Sequence, residues 1–143
     1  MRLADVAARP TLAVAARTTW PEFPETWPRL SQEVWELLRA HGVTSGCPNV
    51  MLYLDDVPNV EVGVLCDEEL PLTGRVQVSE LPGGRVATAT HRGHYARLGL
   101  THDVVLAWCR DRGHELTGTR WEIYGPHRPD PADVWVDVHW QLA

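Results

Sequence analysis

The feature that most limits the fold of this chain is a succession of predicted elements that occurs twice. Each half contains a strand, a helix that ends at a glycine and two further strands. The segments VWELLRAHGVTSG and VLAWCRDRGHELTG align at the helix ends, and Tyr53 in VMLYL then aligns with Tyr124 in RWEIY. We predict an α+β fold in which duplicated βαββ units form one antiparallel sheet, with two helices on one face and a ligand groove on the other.

Periodicity and the positions of proline and glycine set the predicted boundaries. In the first half we predict a strand over residues 11–17, a proline-rich loop over 20–28, a helix over 28–41, and strands over 49–54 and 60–66. In the second half we predict strands over residues 74–81 and 84–91, a helix over 101–112, and strands over 119–125 and 134–142. The length of 143 residues suits one domain, residues 1–143.

Composition and charge exclude several classes of protein. The chain is 44% hydrophobic and 22% charged, and it has neither an apolar run long enough to span a membrane nor the apolar core of a signal peptide. We therefore expect a cytoplasmic protein without membrane contact. The net charge is −6 without a basic stripe, so we expect no nucleic-acid binding by this chain alone. Three cysteines without paired spacing predict free thiols.

No motif for a cofactor or a metal stands out. His91 and His94 are separated by two residues, across a strand end and a turn. Such a segment holds two ligands less rigidly than a helix does, and no third ligand is implied. The glycine-rich pieces lack the strand–glycine–helix context of a phosphate loop. We expect neither a metal nor a cofactor.

Strand alternation assigns side chains to the two predicted faces. One face carries Trp121, Ile123 and rows of valine in the strands over 60–66 and 134–142, and we predict that it packs under the helices. The residues of the opposite parity mix aromatic and acidic side chains and are predicted to line the groove: Met51, Tyr53, Glu122, Tyr124, Trp135, Asp137 and His139. Aromatic rings beside carboxylates suit a flat or cationic aromatic ligand. The alternative is an ordinary solvated face.

Glu122 is the residue on which the functional prediction depends. It lies in GTRWEIYG, a strand otherwise rich in β-forming residues, and glutamate is seldom buried unless another group pairs with it. Two further aromatic residues are candidates for the site. Tyr95 in GHYARL is predicted to close one end of the groove or to pack under a helix. Trp27 in the proline-rich loop either packs on the core or acts as part of a lid, and the lid is favoured because loops often carry function.

Two stretches carry a resemblance to a known family, LPGGRVATATHRGHYARLGLTHDVVLAWCRDRGHELTGTRWEIY and DVWVDVHWQL. Together they make residues 11–142 similar to the GyrI-like small-molecule-binding domain, the effector-binding domain of AraC- and MerR-type multidrug regulators. The resemblance implies a duplicated βαββ fold with a central ligand groove, in which Glu122 faces cationic, lipophilic drugs. This chain has His94 where the family often has proline. Because no helix-turn-helix segment precedes the domain, we expect a stand-alone member.

Three functions follow as hypotheses. The first is a multidrug-type binding protein for hydrophobic, cationic or planar aromatic molecules, acting in drug resistance or self-protection. The second rests on the resemblance, since some stand-alone members are hydrolases that open the strained cyclopropane of DNA-alkylating natural products. In a cyclopropanoid cyclopropyl hydrolase of this kind, Glu122 would act as acid or base beside Tyr124. The third is an interaction protein that holds a macromolecular partner such as a topoisomerase subunit.

Overall fold

The computed structural model describes residues 1–143 and contains eight strands and two α-helices. It also contains two short 3-10 turns, Tyr95–Arg97 and Pro131–Asp133. Neither helix is long and apolar enough to cross a membrane. The elements in chain order are β1 (Arg2–Val6), β2 (Arg9–Arg17), α1 (Phe23–Ala40), β3 (Asn49–Tyr53), β4 (Asn59–Leu65), β5 (Gln77–Leu81), β6 (Gly84–Arg92), α2 (Leu98–Asp111), β7 (Leu116–Tyr124) and β8 (Trp135–Leu142).

The strands form one antiparallel sheet in the order β1-β6-β8-β7-β3-β4-β2-β5. The order is symmetric about its centre. From the centre outwards, one side has β3, β4 and β2, and the other side has the corresponding strands β7, β8 and β6. The predicted α+β fold with a duplicated βαββ unit is therefore confirmed. Strand β1, which was not predicted, pairs with β6 of the other half, and β5 likewise pairs with β2. This exchange of edge strands ties the two halves together.

Both helices begin earlier than predicted. Helix α1 starts at Phe23, inside the segment predicted as a loop, and it contains Pro24 in its first turn and Pro28 one turn later. The first backbone N–H groups of a helix have no partner within it. Because proline lacks an N–H, its presence at position 24 removes no hydrogen bond from α1. Helix α2 starts at Leu98 and not at Thr101. Proline therefore marks the start of α1 and not a loop before it.

The two helices lie on one face of the sheet, as predicted, but the residues beneath them differ from the prediction. Met51 pairs with Val62 on β4 and with Glu122 on β7, and Glu122 pairs with Val138 on β8. Directly paired residues point to the same face. The valine rows packed under the helices thus share their face with Met51, Glu122 and the two tyrosines beside them, Tyr53 and Tyr124.

The predicted burial of Trp121 and Ile123 under the helices is wrong, although both are buried. They lie on the opposite face with Val50 and Leu52, in a second core that also contains Leu65, Leu81 and Val86 from the outer strands. Contact between central and outer strands requires the sheet to curve around this face. Both faces of the sheet therefore carry buried apolar residues. For this reason, the apolar residues of one strand do not show which face the apolar residues of the next strand occupy.

Removal of the Trp121 side chain tests this second core. Trp121 is 2% exposed, and we expect Trp121→Ala to lower the free energy of unfolding by about 3–5 kcal/mol because the cavity left behind cannot be filled. Urea denaturation followed by circular dichroism measures the change. Leu100→Ala is the control, since Leu100 is 62% exposed on α2 and should change the stability by about 0.5 kcal/mol or less. Equal stability of both variants would contradict the second core.

Candidate functional site

A cavity lies on the helix face of the sheet. Helix α1 packs on β2 and β4, and α2 packs on β6 and β8, so neither covers the central strands β3 and β7. The cavity between the helices has a volume of about 460 Å³, within the range of about 300–1,000 Å³ common for ligand sites. Its floor comes from β3 and β7. The residues around the floor are Phe23, Trp27 and Ser31 from α1, Tyr95 just before α2, Leu98 at the start of α2, and His127 from the loop before β8.

Glu122 lies on the floor of this cavity and is only 3% exposed. Its Oε1 accepts hydrogen bonds from the hydroxyls of Tyr53, at 2.9 Å, and Tyr124, at 2.8 Å. Its Oε2 lies 2.7 Å from Nε2 of His102 on α2. A buried carboxylate is costly unless such partners satisfy it, and three hydrogen bonds from three elements do so here. Glu122 therefore points into a site and not to water.

The two tyrosines are held as hydrogen-bond donors. Burial and the neighbouring Glu122 carboxylate raise the pKa of Tyr53 well above the ordinary value for a phenol. The pKa of Tyr124 is raised for the same two reasons, burial being the larger. Both phenols therefore keep their protons through the physiological range and stabilise the carboxylate. Both hydroxyls also approach Sδ of Met51, at 3.5 Å from Tyr53 and 3.8 Å from Tyr124.

A chain of polar contacts extends from Glu122 away from the cavity. Nδ1 of His102 accepts a hydrogen bond of 3.0 Å from the indole Nε1 of Trp140 on β8. The side chain of His102 is 17% exposed. Next to it on the helix, the Thr101 hydroxyl lies 2.7 Å from Nδ1 of His91. The start of α2 is thus fixed to β6, β7 and β8 by side-chain hydrogen bonds.

Aromatic rings line both ends of the floor. The Tyr53 ring contacts Phe23, with 5.5 Å between centroids, and the Tyr124 ring contacts Tyr95 at 6.0 Å. Arg120 is buried at one end of this face, where its guanidinium lies over the rings of Tyr53, Trp20 and Trp140.

The charge of Arg120 is compensated locally. Its Nη1 donates to Asp56 Oδ1 at 2.6 Å and to the Gly118 carbonyl at 3.0 Å. Asp56 lies on the loop between β3 and β4, and its side chain is 87% exposed. The guanidinium is therefore engaged by a carboxylate outside the cavity, and the carboxylate of Glu122 is held by hydroxyls and an imidazole.

Comparison with known proteins identifies the family. The sequence profile of the GyrI-like small molecule binding domain matches residues 1–139. The chain belongs to this family. No curated protein sequence matched the chain.

Solved structures share the fold of this GyrI-like domain. EcmrR in its DNA complex has a TM-score of 0.77 at 18% identity, covering 99% of this chain and 56% of the EcmrR chain. The isolated C-terminal domain of EcmrR gives 0.76 at 17% identity, covering 99% and 96%. SAV2435 bound to tetraphenylphosphonium gives 0.68 at 11% identity, covering 99% and 93%. A hydrolase from Listeria innocua gives 0.62 at 12% identity, covering 99% and 91%. At these identities the likeness shows the fold.

The cavity of this GyrI-like domain brings together six of the nine residues predicted from the sequence. The other three, Trp135, Asp137 and His139, lie on the face away from the helices, because His139 pairs with Trp121 and Asp137 with Ile123. The six cavity residues are Trp27, Met51, Tyr53, Tyr95, Glu122 and Tyr124. The predicted position of the groove, opposite the helices, is thus corrected to the helix face.

Each of the three residues outside the cavity contacts another residue of the sheet or of the segment next to it. His139 stacks on Trp121, with 5.5 Å between ring centroids and 7° between planes, and burial lowers its pKa. Asp137 accepts a hydrogen bond of 2.6 Å from Thr90 on the adjacent strand. The Trp135 ring packs so closely on Gly125 that a side chain at position 125 would overlap it. None of the three lies beside Glu122.

The residue that sequence analysis missed with the greatest consequence is His102. It lies three residues before Val105 and seven before Cys109, the two fully buried residues of α2. That spacing places His102 on the buried face of a helix and would have marked it as a candidate. Leu98 was missed because α2 begins earlier than predicted, and no pattern marked Ser31 within the predicted helix over 28–41. The described side chains include no group of three or more His, Cys, Asp or Glu residues placed to hold a metal ion.

Alkaline titration of stability tests the state of the two phenols. Above about pH 10 an unfolded tyrosine loses its proton, whereas Tyr53 and Tyr124 keep theirs when folded. The unfolded chain then binds fewer protons, so the free energy of unfolding falls as pH rises, with a slope approaching about 1.4 kcal/mol per pH unit for each phenol. We expect Tyr53→Phe and Tyr124→Phe each to reduce this slope, measured by urea denaturation from about pH 9 to about pH 11.

No lysine side chain loses a proton in this pH range, because all 13 basic residues of the chain are arginine. Burial raises the pKa of Cys47 to about 11, and the thiols contribute equally in wild type and in both variants. An unchanged slope in both variants would contradict the description of the phenols as protonated donors to Glu122.

Proposed function

We propose that this GyrI-like domain binds hydrophobic, cationic or planar aromatic molecules in the cavity on the helix face, with Glu122 as the counter-charge. The observation that carries the proposal is a nearly fully buried carboxylate on the floor of a cavity whose walls are mainly apolar and aromatic. In these low-dielectric surroundings a carboxylate attracts a cation more strongly than it does in water. A lipophilic cation, whose positive charge is surrounded by apolar groups, can supply that charge and still fit a cavity with apolar walls, without requiring water there.

The aromatic residues support a cationic ligand in a second way. Trp27 and Tyr95 stand on opposite walls, and Tyr53 and Tyr124 lie on the floor between them. The faces of aromatic rings attract cations, by about 0.5–2 kcal/mol for each well-placed ring. SAV2435, which shares the fold, was solved with tetraphenylphosphonium, a cation surrounded by phenyl rings. The same chemistry suits the cavity described here, and tetraphenylphosphonium is therefore the probe of choice.

The biological role that we propose is drug resistance or self-protection, in which the domain sequesters a toxic compound. Regulators such as EcmrR attach a domain of this fold to further segments, since the present chain spans only 56% of the EcmrR chain. The 143 residues described here contain the cavity in full. Ligand binding is thus a property that these residues can have without a second domain.

A hydrolase is the second candidate, and the polar floor of the cavity favours it. The Glu122 carboxylate can accept a proton from a water molecule, and the water oxygen then bonds to one carbon of a strained cyclopropane as the ring bond breaks. The electron pair of the broken bond passes to the oxygen of a carbonyl group conjugated with the ring. Tyr124, whose hydroxyl lies 2.8 Å from Glu122, is placed to donate a proton to that oxygen and to regain one from Glu122. The hydrolase from Listeria innocua shares this fold.

Substitution of Glu122 tests the proposed counter-charge. We expect Glu122→Gln to weaken binding of tetraphenylphosphonium by about 1–3 kcal/mol, because the amide keeps the shape of the side chain and removes its charge. Calorimetric titration measures the change. Glu61→Gln is the matched control, since Glu61 pairs with Leu52 and therefore faces away from the helices. Equal binding by wild type and Glu122→Gln would contradict the proposal.

Product analysis separates a binding protein from a hydrolase. After incubation with an aromatic compound that bears an activated cyclopropane, mass spectrometry of the compound shows whether one water has been added. A binding protein returns the compound unchanged, which is the result that we expect. Addition of water by wild type but not by Glu122→Gln would instead establish the hydrolase. An interaction protein, the third hypothesis, would bind neither this compound nor tetraphenylphosphonium.

A further inference from the structure

Two of the three free cysteines, Cys47 and Cys66, lie at the open end of the β3–β4 hairpin. The backbone N–H of Leu65 donates to the carbonyl of Pro48 at 2.9 Å, which extends the antiparallel register of the hairpin by one pair beyond the start of β3. One position further along, the same register puts Cys47 opposite Cys66. The two cysteines are therefore cross-strand neighbours, although they are far apart in the sequence.

The backbone hydrogen bonds show that Cys47 and Cys66 form a non-hydrogen-bonded pair. Leu65 and Pro48 are joined directly by a backbone hydrogen bond, and in an antiparallel ladder the next pair of residues is not. The backbone N–H of Cys66 points away from β3 and donates to the carbonyl of Pro10 on β2, at 3.2 Å. The Cα atoms of such a pair lie about 4.5 Å apart, which is within the range of about 4.4–6.8 Å that a disulfide requires.

Both thiols lie on the helix face of the sheet. Cys66 belongs to the core under α1 together with Val62 and Val64 of β4, and Cys47 packs against the same core. Burial and the neighbouring Cys66 thiol raise the pKa of Cys47 to about 11. Cys66 is buried, at 8% exposed, whereas Cys47 is only half-buried. The two sulfur atoms are therefore neighbours, and Cys47 is the one that a reagent reaches first.

We propose that Cys47 and Cys66 are a site of reversible oxidation, at which a low-molecular-weight disulfide converts the two thiols into one disulfide bond. The thiolate of Cys47 attacks one sulfur of the reagent, forms a mixed disulfide and releases one thiolate. The Cys66 thiol then gives its proton to solvent, and its sulfur attacks Sγ of Cys47, which releases the second half of the reagent as a thiolate. The two cysteines are oxidised and the reagent is reduced to two thiols, whose protons replace those that the cysteines lost.

The third cysteine provides an internal control. Cys109 on α2 is fully buried, in a core formed with residues of β6 and β8. It belongs to a different core from Cys47 and Cys66, so no second thiol lies beside it. We therefore expect Cys109 to stay reduced under conditions that oxidise the pair.

A disulfide at this position would tie the start of β3 to the end of β4. It would close a loop that contains the whole β3–β4 hairpin, including Met51 and Tyr53 on the floor of the cavity. A crosslink of this kind lowers the conformational entropy of the unfolded chain. We expect the melting temperature to rise by about 10 °C on oxidation and to return to its original value on reduction.

The experiment is overnight incubation of wild type with oxidised glutathione, followed by intact-mass spectrometry and peptide mapping. A pH of about 9 is used because Cys47 is almost fully protonated at neutral pH and the thiolate is the form that reacts. We expect the protein to lose the mass of two hydrogen atoms, to carry no glutathione and to give one crosslinked peptide pair that contains Cys47 and Cys66. Dithiothreitol should restore the original mass. The chain unfolded in urea and treated in the same way shows that the reagent is active.

Two variants separate the steps of the reaction. Cys66→Ala removes the second thiol, and we expect Cys47 to keep one glutathione because nothing displaces it. Cys109→Ala is the matched control and should form the disulfide as wild type does. Glutathione retained on Cys47 in wild type would overturn the proposal. A folded wild type that stays unmodified while the unfolded chain reacts would overturn it as well, and neither result depends on the folding of a variant.

Discussion

The carboxylate of Glu122 is the interaction on which the rest of this structure depends. Burial of an unpaired carboxylate costs several kcal/mol, whereas a hydrogen bond to a charged group contributes about 1.5–3 kcal/mol. Tyr53, Tyr124 and His102 supply three such bonds from β3, β7 and α2. The carboxylate therefore links the two halves of the sheet to a helix, and the same atoms form the floor of the cavity. Stability and ligand binding are coupled at this one group.

Duplication explains why the cavity lies where it does. The alignment of Tyr53 with Tyr124 also aligns Met51 with Glu122, and these two residues are direct partners at the centre of the sheet. The pseudo-twofold axis thus passes through a pair in which one half has a thioether and the other a carboxylate. Each helix covers the outer strands of its own half, which leaves this central pair open between the helices. The symmetric fold makes the cavity, and the difference between Met51 and Glu122 at its centre provides the charge.

The repeated pattern of strands and helices was enough to predict the fold, the antiparallel sheet and six residues of the cavity. The pairing of faces between strands was not predictable, because Trp121 and Ile123 look like residues under a helix and are in fact buried by the curvature of the sheet. That error placed Trp135, Asp137 and His139 beside Glu122, from which the sheet separates them. His102 was missed because its role depends on a long-range contact between α2 and β7, although its spacing from Val105 and Cys109 is that of a buried helix face.

The most direct test of the account is a crystal structure of the wild-type protein with tetraphenylphosphonium. We predict that the cation lies between the two helices, with its charge nearest to the carboxylate of Glu122 and its phenyl groups against Trp27 and Tyr95. A cation bound instead on the opposite face, beside Trp135 and Asp137, would contradict the account. It would show that the charge of Glu122 serves the fold and that the ligand is recognised elsewhere.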